Sequence, residues 1–204
     1  MDQVPYYIVF AGIDGAGKST LHRTGLWQQG GFGTALPHIA PDEVSHERPA
    51  GRGSRLSRSS PGRLAAERSR NLMKVRASFC QETTLAEPLF VHNLARARAL
   101  GYRILLYYVG IADPSAAEKR AGRMLRPGDQ VAADAAEERF GASLRNLSAA
   151  IGLCDEVYIY DNTEQLRLEA RFAGGQLRYR STDDSPAWLD RLETAVSQEG
   201  VALP

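Results

Sequence analysis

Apolar runs separated by glycine, proline and charged stretches predict strands alternating with helices along most of this chain. Tyr6 to Ala11 (YYIVFA) is nearly all apolar, β-branched or aromatic, the pattern of a strand buried on both faces. A glycine-rich turn follows, then Leu21 to Trp27, which can continue as a helix. Thr34 to Ala40 is a weaker strand candidate ending in Pro41-Asp42-Glu43. Helical composition resumes at Arg63 and runs through Leu64, Leu72 and Val75. Ser78-Phe79-Cys80-Gln81 reads as a short strand running into Glu82-Thr83-Thr84. A helix from about Pro88 to Leu100 is closed by Gly101 as a C-terminal cap. Tyr102 to Val109 (YRILLYYV) is the clearest buried strand, and Asp113-Pro114 opens the next helix in good capping order. That helix runs to about Leu125, before Pro127-Gly128. Ala132 to Ala149 is another helix and Glu156 to Tyr160 another strand. Asp161-Asn162 turns into Leu166 to Phe172, which Gly174-Gly175 joins to Leu177 to Tyr179 as a hairpin. Pro186 to Ser197 forms a terminal helix. There is no internal repeat. The alternation predicts an α/β fold: a mostly parallel sheet with helices on both faces and a C-terminal β-hairpin at one edge. The length suits a single domain over 1–204, with 163–204 as a hairpin-and-helix appendage.

Composition narrows the class. A hydrophobic fraction of 43% with 24% charged residues is that of a soluble globular protein. The formal charge of +1 gives no global field for nucleic acid or an acidic membrane. Cys80 and Cys154 each lie in or beside an apolar run, as buried free thiols of a reducing cytoplasm do. The start MDQVPYYIVF lacks a basic leader, and no stretch approaches the roughly 20 apolar residues of a membrane span, so a cytoplasmic location is expected. Residues 48–76 hold nine basic side chains against one acidic one. Their first part, 51–62, is rich in Arg, Ser and Gly without apolar period and reads as a mobile loop. Interleaved aromatics are absent there, so a solvated loop and helix face is favoured over attraction of an anionic substrate, and nucleic acid comes last.

The chemistry begins at Gly12-Ile13-Asp14-Gly15-Ala16-Gly17-Lys18-Ser19-Thr20. Between a strand and a helix, this matches the P-loop pattern G-x-x-x-x-G-K-[ST]. Gly12, Gly15 and Gly17 free the backbone to turn successive N–H groups toward phosphate oxygens, with Asp14, Ala16 and Thr20 completing the cradle. Lys18 reaches the β- and γ-phosphates, and the Ser19 hydroxyl is the expected Mg²⁺ ligand. The fold expected is therefore that of a P-loop NTPase or kinase.

In a parallel sheet the loops after the strands gather at one end, where the P-loop also sits. Asp42 there could orient or deprotonate an attacking hydroxyl, or simply cap a helix. Glu82 could bind substrate or a water on the magnesium, and Thr84 a substrate hydroxyl; capping is the alternative for both. Arg120 and Arg123 share a helix face leading to a glycine-containing loop, and Arg139 lies on the helix beyond. At least one of the three is expected to clamp the transferring phosphate.

The order of motifs over Tyr7 to Asn162 resembles the zeta-toxin family of P-loop kinases. It includes the P-loop, PDE, AAER at Ala65 to Arg68, SFCQETTL, ALGYRILLYYVGIADPSAAEKRAGR, ERFGASLRNL and DEVYIYDN. The resemblance implies phosphorylation of a hydroxyl of UDP-N-acetylglucosamine by ATP or GTP with Mg²⁺, a toxin-like activity, and allows an antitoxin protein as partner. It implies Asp42 as base, and Glu82, Thr84 and Glu67 or Arg68 facing the substrate. It also implies Arg120 or Arg123, with Arg139, at the phosphates. The loop at 51–62 looks enlarged relative to that family, and Asp129-Gln130 stands where many relatives carry histidine or arginine. YIVFAGIDGAGKST also resembles thymidylate kinase, but the required downstream Asp-Arg pair occurs only as Asp190-Arg191 in the terminal helix. A kinase for another small molecule or nucleotide, and an NTP-hydrolysing switch, are the remaining alternatives.

Overall fold

The computed structural model describes residues 4–25, 27–28, 36–40, 61–121, 130–182 and 184–198. Among the described residues, seven strands, β1 (Tyr6–Ala11), β2 (His38–Ile39), β3 (Phe79–Thr83), β4 (Arg103–Gly110), β5 (Glu156–Asp161), β6 (Arg167–Ala173) and β7 (Gln176–Arg180), form one sheet. Their order is β2-β3-β1-β4-β5-β6-β7. The first five are mutually parallel, and β6 and β7 add antiparallel as the expected hairpin. The described helices are α1 (Lys18–Thr24), α2 (Pro61–Lys74), α3 (Leu89–Ala99), α4 (Pro114–Arg120), α5 (Gln130–Ile151) and α6 (Ala187–Gln198). After β1 the chain builds β2 and β3 on one side, then crosses to β4 on the other. The carboxyl end of β1 therefore lies at a topological switch point, the place where open α/β sheets form their ligand crevice.

Register makes that crevice. Phe10 lies opposite Glu82 and Tyr107, and Ala11 opposite Thr83 and Tyr108. Gly110 in turn faces Asp161. The segments after β1, β3, β4 and β5 thus leave the sheet at one edge. Strand side chains alternate between two buried faces. On one, the Phe10, Tyr107 and Tyr158 rings stack in a row at 5.5 and 4.9 Å, and α1 packs there through His22. On the other, Tyr7 stacks on Phe79 at 4.5 Å and its hydroxyl donates to Gln81 Oε1. Tyr108 on this second face meets Ser143 of α5 and Trp188 of α6. Burial of this kind stabilises by roughly 25 cal/mol per Å² of apolar surface, which is why the central strands tolerate almost no polar residues.

Several boundaries differ from expectation. α2 begins at Pro61, so Pro61 and Gly62 belong to a helix and not to the loop expected over 51–62. Proline suits a first helical turn because its fixed φ is already helical and its missing N–H is not needed there. Residues 51–60 lie outside the described residues. α2 stops at Lys74, short of Val75, which is 73% exposed. Arg76 takes the left-handed conformation (φ 53°), and the Ala77 N–H returns to the Leu72 carbonyl at 3.1 Å. An arginine thus fills the place usually given to glycine, held by Nη1 donating to the Leu100 carbonyl. Gly101 closes α3 as expected, with φ 76° and Tyr102 N donating to Ala97 O. Asp113 caps α4 through Oδ1 and the Ala116 N–H, but α4 ends at Arg120 and not near Leu125. Cys80 and Cys154 are buried free thiols. Among the described residues, no helix is long and apolar enough to cross a membrane.

Candidate active site

The turn from β1 into α1 has backbone torsions that only glycine adopts readily. φ is 134° at Gly12, 75° at Gly15 and 111° at Gly17. Space forbids side chains as firmly as torsion does: a Cβ on Gly12 would lie 2.2 Å from the Val109 carbonyl oxygen, and one on Gly15 1.8 Å from that of Ala117. The loop is therefore pressed between β4 and α4. Asn162, just past β5, fixes it from a third side: its Nδ2 donates to Ala16 O at 2.8 Å, and its backbone N–H donates to Gly110 O. Asn162 was expected only as part of a turn. Like Glu82, it lies at the carboxyl end of a strand beside the P-loop.

Lys18 is buried, with Nζ donating to Ile13 O at 3.0 Å and lying 3.7 Å from Asp14 Oδ1. The ammonium is curled over the loop it would use to hold phosphates. Thr20 is exposed on α1. The Ser19 hydroxyl donates to Glu82 Oε2 at 2.9 Å, across 63 residues of sequence. The other carboxylate oxygen, Oε1, lies 3.4 Å from His38 Nε2. Burial alone would push the Glu82 carboxyl up. The contacts with His38 and Ser19 and the positive charge of Lys18 outweigh this and hold it below its usual range. Glu82 is thus an ionised carboxylate placed against the Ser19 hydroxyl. Hydroxyl and carboxylate oxygens are hard donors of the kind Mg²⁺ takes alongside phosphate oxygens, so these residues fit that ion.

Around this centre the expected residues divide. The Thr84 hydroxyl accepts from the Ala86 N–H at 3.4 Å and Thr83 Oγ1 from the Leu85 N–H; both bonds lie in the turn after β3, and α3 begins only at Leu89 with Pro88 as its N-cap, so neither threonine caps a helix. The turn they stabilise places Leu85, fully buried, at φ 57°. α5 holds this turn from below: Ser143 Oγ donates to Thr84 O and Asn146 Nδ2 to Leu85 O. With the Ser143 proton so engaged, the Tyr108 hydroxyl is the donor in its 3.0 Å bond to Ser143. Glu67 on α2 is exposed and, with Arg63, Arg70, Glu87, Pro88 and Leu89, lines a cleft of about 550 Å³. Arg68 is half-buried on the same helix.

The arginines also separate. Arg139 donates through Nε and Nη2 to both oxygens of Glu118, a residue of α4 only 2% exposed. This pair joins α5 to α4 and leaves the guanidinium partly exposed. Arg120 is exposed at the end of α4, one turn beyond the Ala117 carbonyl that touches the P-loop at Gly15. Asp42 and Arg123 lie outside the described residues.

His22 and His38 were not singled out by sequence reasoning. Their rings stack at 4.3 Å and 6°, and Trp27 covers the other face of His22 at 5.5 Å. No motif links histidines sixteen residues apart; the pairing of β2 with β3 and the seating of α1 on the same sheet face bring them together.

No curated protein matches the chain in sequence. Among solved structures, the chain is similar to one from the PezAT chromosomal toxin–antitoxin system of Streptococcus pneumoniae, at 16% identity and a TM-score of 0.57. That match covers 95% of this chain and 79% of that one. It is also similar to the AvrRxo1-ORF1:-ORF2 complex with ATP, at 14% identity and a TM-score of 0.58, covering 96% of this chain. This chain spans 64% of the length of that one. At these identities the likeness is one of fold. The family described as Zeta toxin matches residues 1–170. That span includes both the P-loop and the β3 carboxylate it meets, and on it the chain belongs to the zeta-toxin family of P-loop kinases.

Proposed function

We propose that this protein transfers the γ-phosphoryl group of ATP or GTP to a hydroxyl of UDP-N-acetylglucosamine or a related sugar nucleotide. The observation that carries the nucleotide and metal part of the reading is the Ser19–Glu82 contact beside Lys18, which joins a phosphate cradle to an ionised carboxylate on the neighbouring strand. The Ser19–Glu82 pair would hold the metal in a switch as well as in a kinase, so transfer to an acceptor is supported by the family rather than by that contact. Family membership supports phosphotransfer, and the resemblance of SFCQETTL to the family's substrate motif supports the sugar nucleotide.

Residue roles follow from chemistry. Backbone N–H groups from Gly12 to Thr20 hold the phosphates, and Lys18 swings from Ile13 O to the β- and γ-oxygens. Ser19 and Glu82 would hold Mg²⁺, which when bound neutralises charge on those oxygens. Asp42 takes the acceptor proton as the hydroxyl oxygen bonds to the γ-phosphorus and the bond to the β-phosphate oxygen breaks, releasing ADP or GDP. Glu67, Arg68, Glu82 and Thr84 contact the acceptor. Arg120 or Arg123 stabilises the charge spreading over the phosphoryl oxygens, while Arg139, bound to Glu118, positions α4 and does not touch phosphate itself. The neighbour from a toxin–antitoxin system supports an antitoxin partner, and a single cytoplasmic domain belongs to the same reading.

The test is a single-turnover assay with ATP or GTP, Mg²⁺ and a panel of acceptors including UDP-N-acetylglucosamine, with product identified by mass. Lys18→Ala should stay folded and lose transfer. Asp42→Asn should keep nucleotide affinity while slowing transfer ~10²–10⁴-fold, the scale of general-base loss, because asparagine accepts a hydrogen bond but no proton. Unchanged transfer in Asp42→Asn would remove it from the mechanism. Nucleotide hydrolysis with no acceptor phosphorylated in wild type would point to the switch reading.

A further inference from the structure

We propose that Asn162 is a positioning residue for nucleotide binding: by anchoring the Ala16 carbonyl it aims the Gly17 N–H at the diphosphate of the nucleotide. This role rests on the nucleotide-binding part of the function proposed above and is independent of the acceptor. Asn162 Nδ2 donates to Ala16 O at 2.8 Å, across 146 residues of sequence. Only the nitrogen end of the amide can donate to a carbonyl oxygen, so the side chain has one productive orientation. The Ala16–Gly17 peptide is trans, and in a planar trans peptide the C=O and N–H point in opposite directions. Fixing the oxygen on Asn162 therefore fixes the hydrogen pointing away from Asn162. The Gly17 carbonyl accepts from the Leu21 N–H, whereas among the described residues the Gly17 N–H has no acceptor. It is a donor held ready for a phosphate oxygen.

The surroundings hold Asn162 in place. Its amide lies against Gly17 itself: a Cβ there would come 2.4 Å from Nδ2, so the contact needs glycine for space as well as for its φ of 111°. The Asn162 N–H donates to Gly110 O at 3.0 Å. On one side, Asp161 Oδ1 accepts from Thr163 Oγ1 and from Trp188 Nε1, each at 2.8 Å. On the other, Thr163 Oγ1 accepts from the Ala112 N–H at 3.0 Å. The Trp188 indole also lies against Gly110, where a Cβ would come within 2.3–2.6 Å of three ring atoms. Trp188 belongs to α6, so the support for Asn162 comes partly from beyond residues 1–170 that match the family.

The chemistry makes one peptide orientation matter. A phosphate oxygen is a charged acceptor, and a hydrogen bond to it is stronger than one between neutral groups. A donor already aimed at its acceptor spares the ordering that a free peptide would undergo on binding. Backbone N–H groups of a P-loop cradle the α- and β-phosphates, which stay on the nucleotide throughout transfer. Losing one such donor therefore weakens the ground state and the transition state alike. Nucleotide KM should rise while kcat is largely kept.

The experiment measures ADP affinity of the full chain by calorimetry in Mg²⁺ buffer for wild type, Asn162→Leu and Asn162→Ala. Leucine keeps the shape of asparagine without its donor, and alanine adds no bulk that could misfit. Circular dichroism and denaturant unfolding without nucleotide establish that each variant is folded at the assay temperature. ADP should bind both variants roughly 10–100-fold more weakly, the scale of one hydrogen bond to a charged group. Wild-type affinity in the folded variants would overturn the role, and so would loss of folding in both, which would make Asn162 structural only. In turnover assays the nucleotide KM should rise with kcat largely kept; a fall in kcat at unchanged KM would also overturn it. Wild type that binds ADP but phosphorylates no acceptor would count against the kinase reading and leave the ADP comparison standing. Wild type that binds no ADP would overturn the nucleotide site and the role of Asn162 together.

Discussion

Glu82 meets Ser19 through one carboxylate oxygen and His38 through the other, and its ionisation can be followed. Its folded value lies below the ordinary 4.5, with burial opposed and outweighed by His38, Ser19 and Lys18. A depressed folded value means the folded state prefers the ionised form. The stability this contributes is fully present above pH 4.5 and is lost as pH falls through the folded value. Glu82→Gln removes the titration. Denaturant unfolding of both proteins from neutral pH down through 4.5 should show wild type losing stability relative to the glutamine variant at the acid end. Parallel curves would mean that the Ser19 and His38 contacts do not favour the ionised form. Burial pushes Glu156 up as well, but its contacts with Tyr158 and Arg171 outweigh this and hold it below its usual range; it titrates in both proteins and cancels in the comparison.

Between elements, the α4–α5 junction discriminates structure from catalysis. Glu118 is buried, and Arg139 meets it with two nitrogens. Removing one partner of a buried pair leaves a stranded charge, a loss of 3–5 kcal/mol in fully buried cases; with Arg139 38% exposed, about 2–3 kcal/mol is expected for Arg139→Ala. Replacing both, as Arg139→Met with Glu118→Leu, should recover most of that loss, because no charge is then left unpaired. Chemical denaturation of the single and double variants measures both. If Arg139 instead clamps phosphate, the single variant should lose transfer with stability intact, and the double variant should not recover it.

The whole molecule is organised so that four strand ends converge on one phosphate cradle. β1 supplies the loop, β3 the carboxylate, β4 the wall behind Gly12, and β5 the Asn162 clamp. The hairpin joins the sheet through β6 beside β5, and α6 is tied to the end of β5 by Trp188 Nε1, which donates to Asp161 Oδ1 at 2.8 Å. A ligand that bridges these ends should stabilise the entire cooperative unit. ATP with Mg²⁺ at about 100 times its dissociation constant should add ~2.7 kcal/mol. For a chain of this size that is a rise of roughly 5–11 °C in melting temperature. Thermal unfolding with and without nucleotide checks this, and Lys18→Ala should abolish most of the shift. A shift undiminished in that variant would place nucleotide elsewhere.

What the sequence by itself determined is what short-range physics controls. The spacing of glycines fixed the P-loop, apolar runs fixed the strands, and Asp113-Pro114 and Gly101 fixed two helix ends, each through torsions and hydrogen bonds spanning a few residues. Where a local rule had an unusual solution it misled: Arg76 closes α2 in the left-handed conformation that sequence alone assigns to glycine. Asp42 and Arg123 lie outside the described residues, so their roles still rest on sequence. Only the tertiary structure decided which carboxylate meets Ser19, which arginine is engaged by Glu118, and that His22 and His38 lie face to face. Those pairings depend on the register of parallel strands and the seating of helices on the sheet. Partners 63 residues apart in sequence become neighbours through packing of the whole core, and no local pattern encodes that choice.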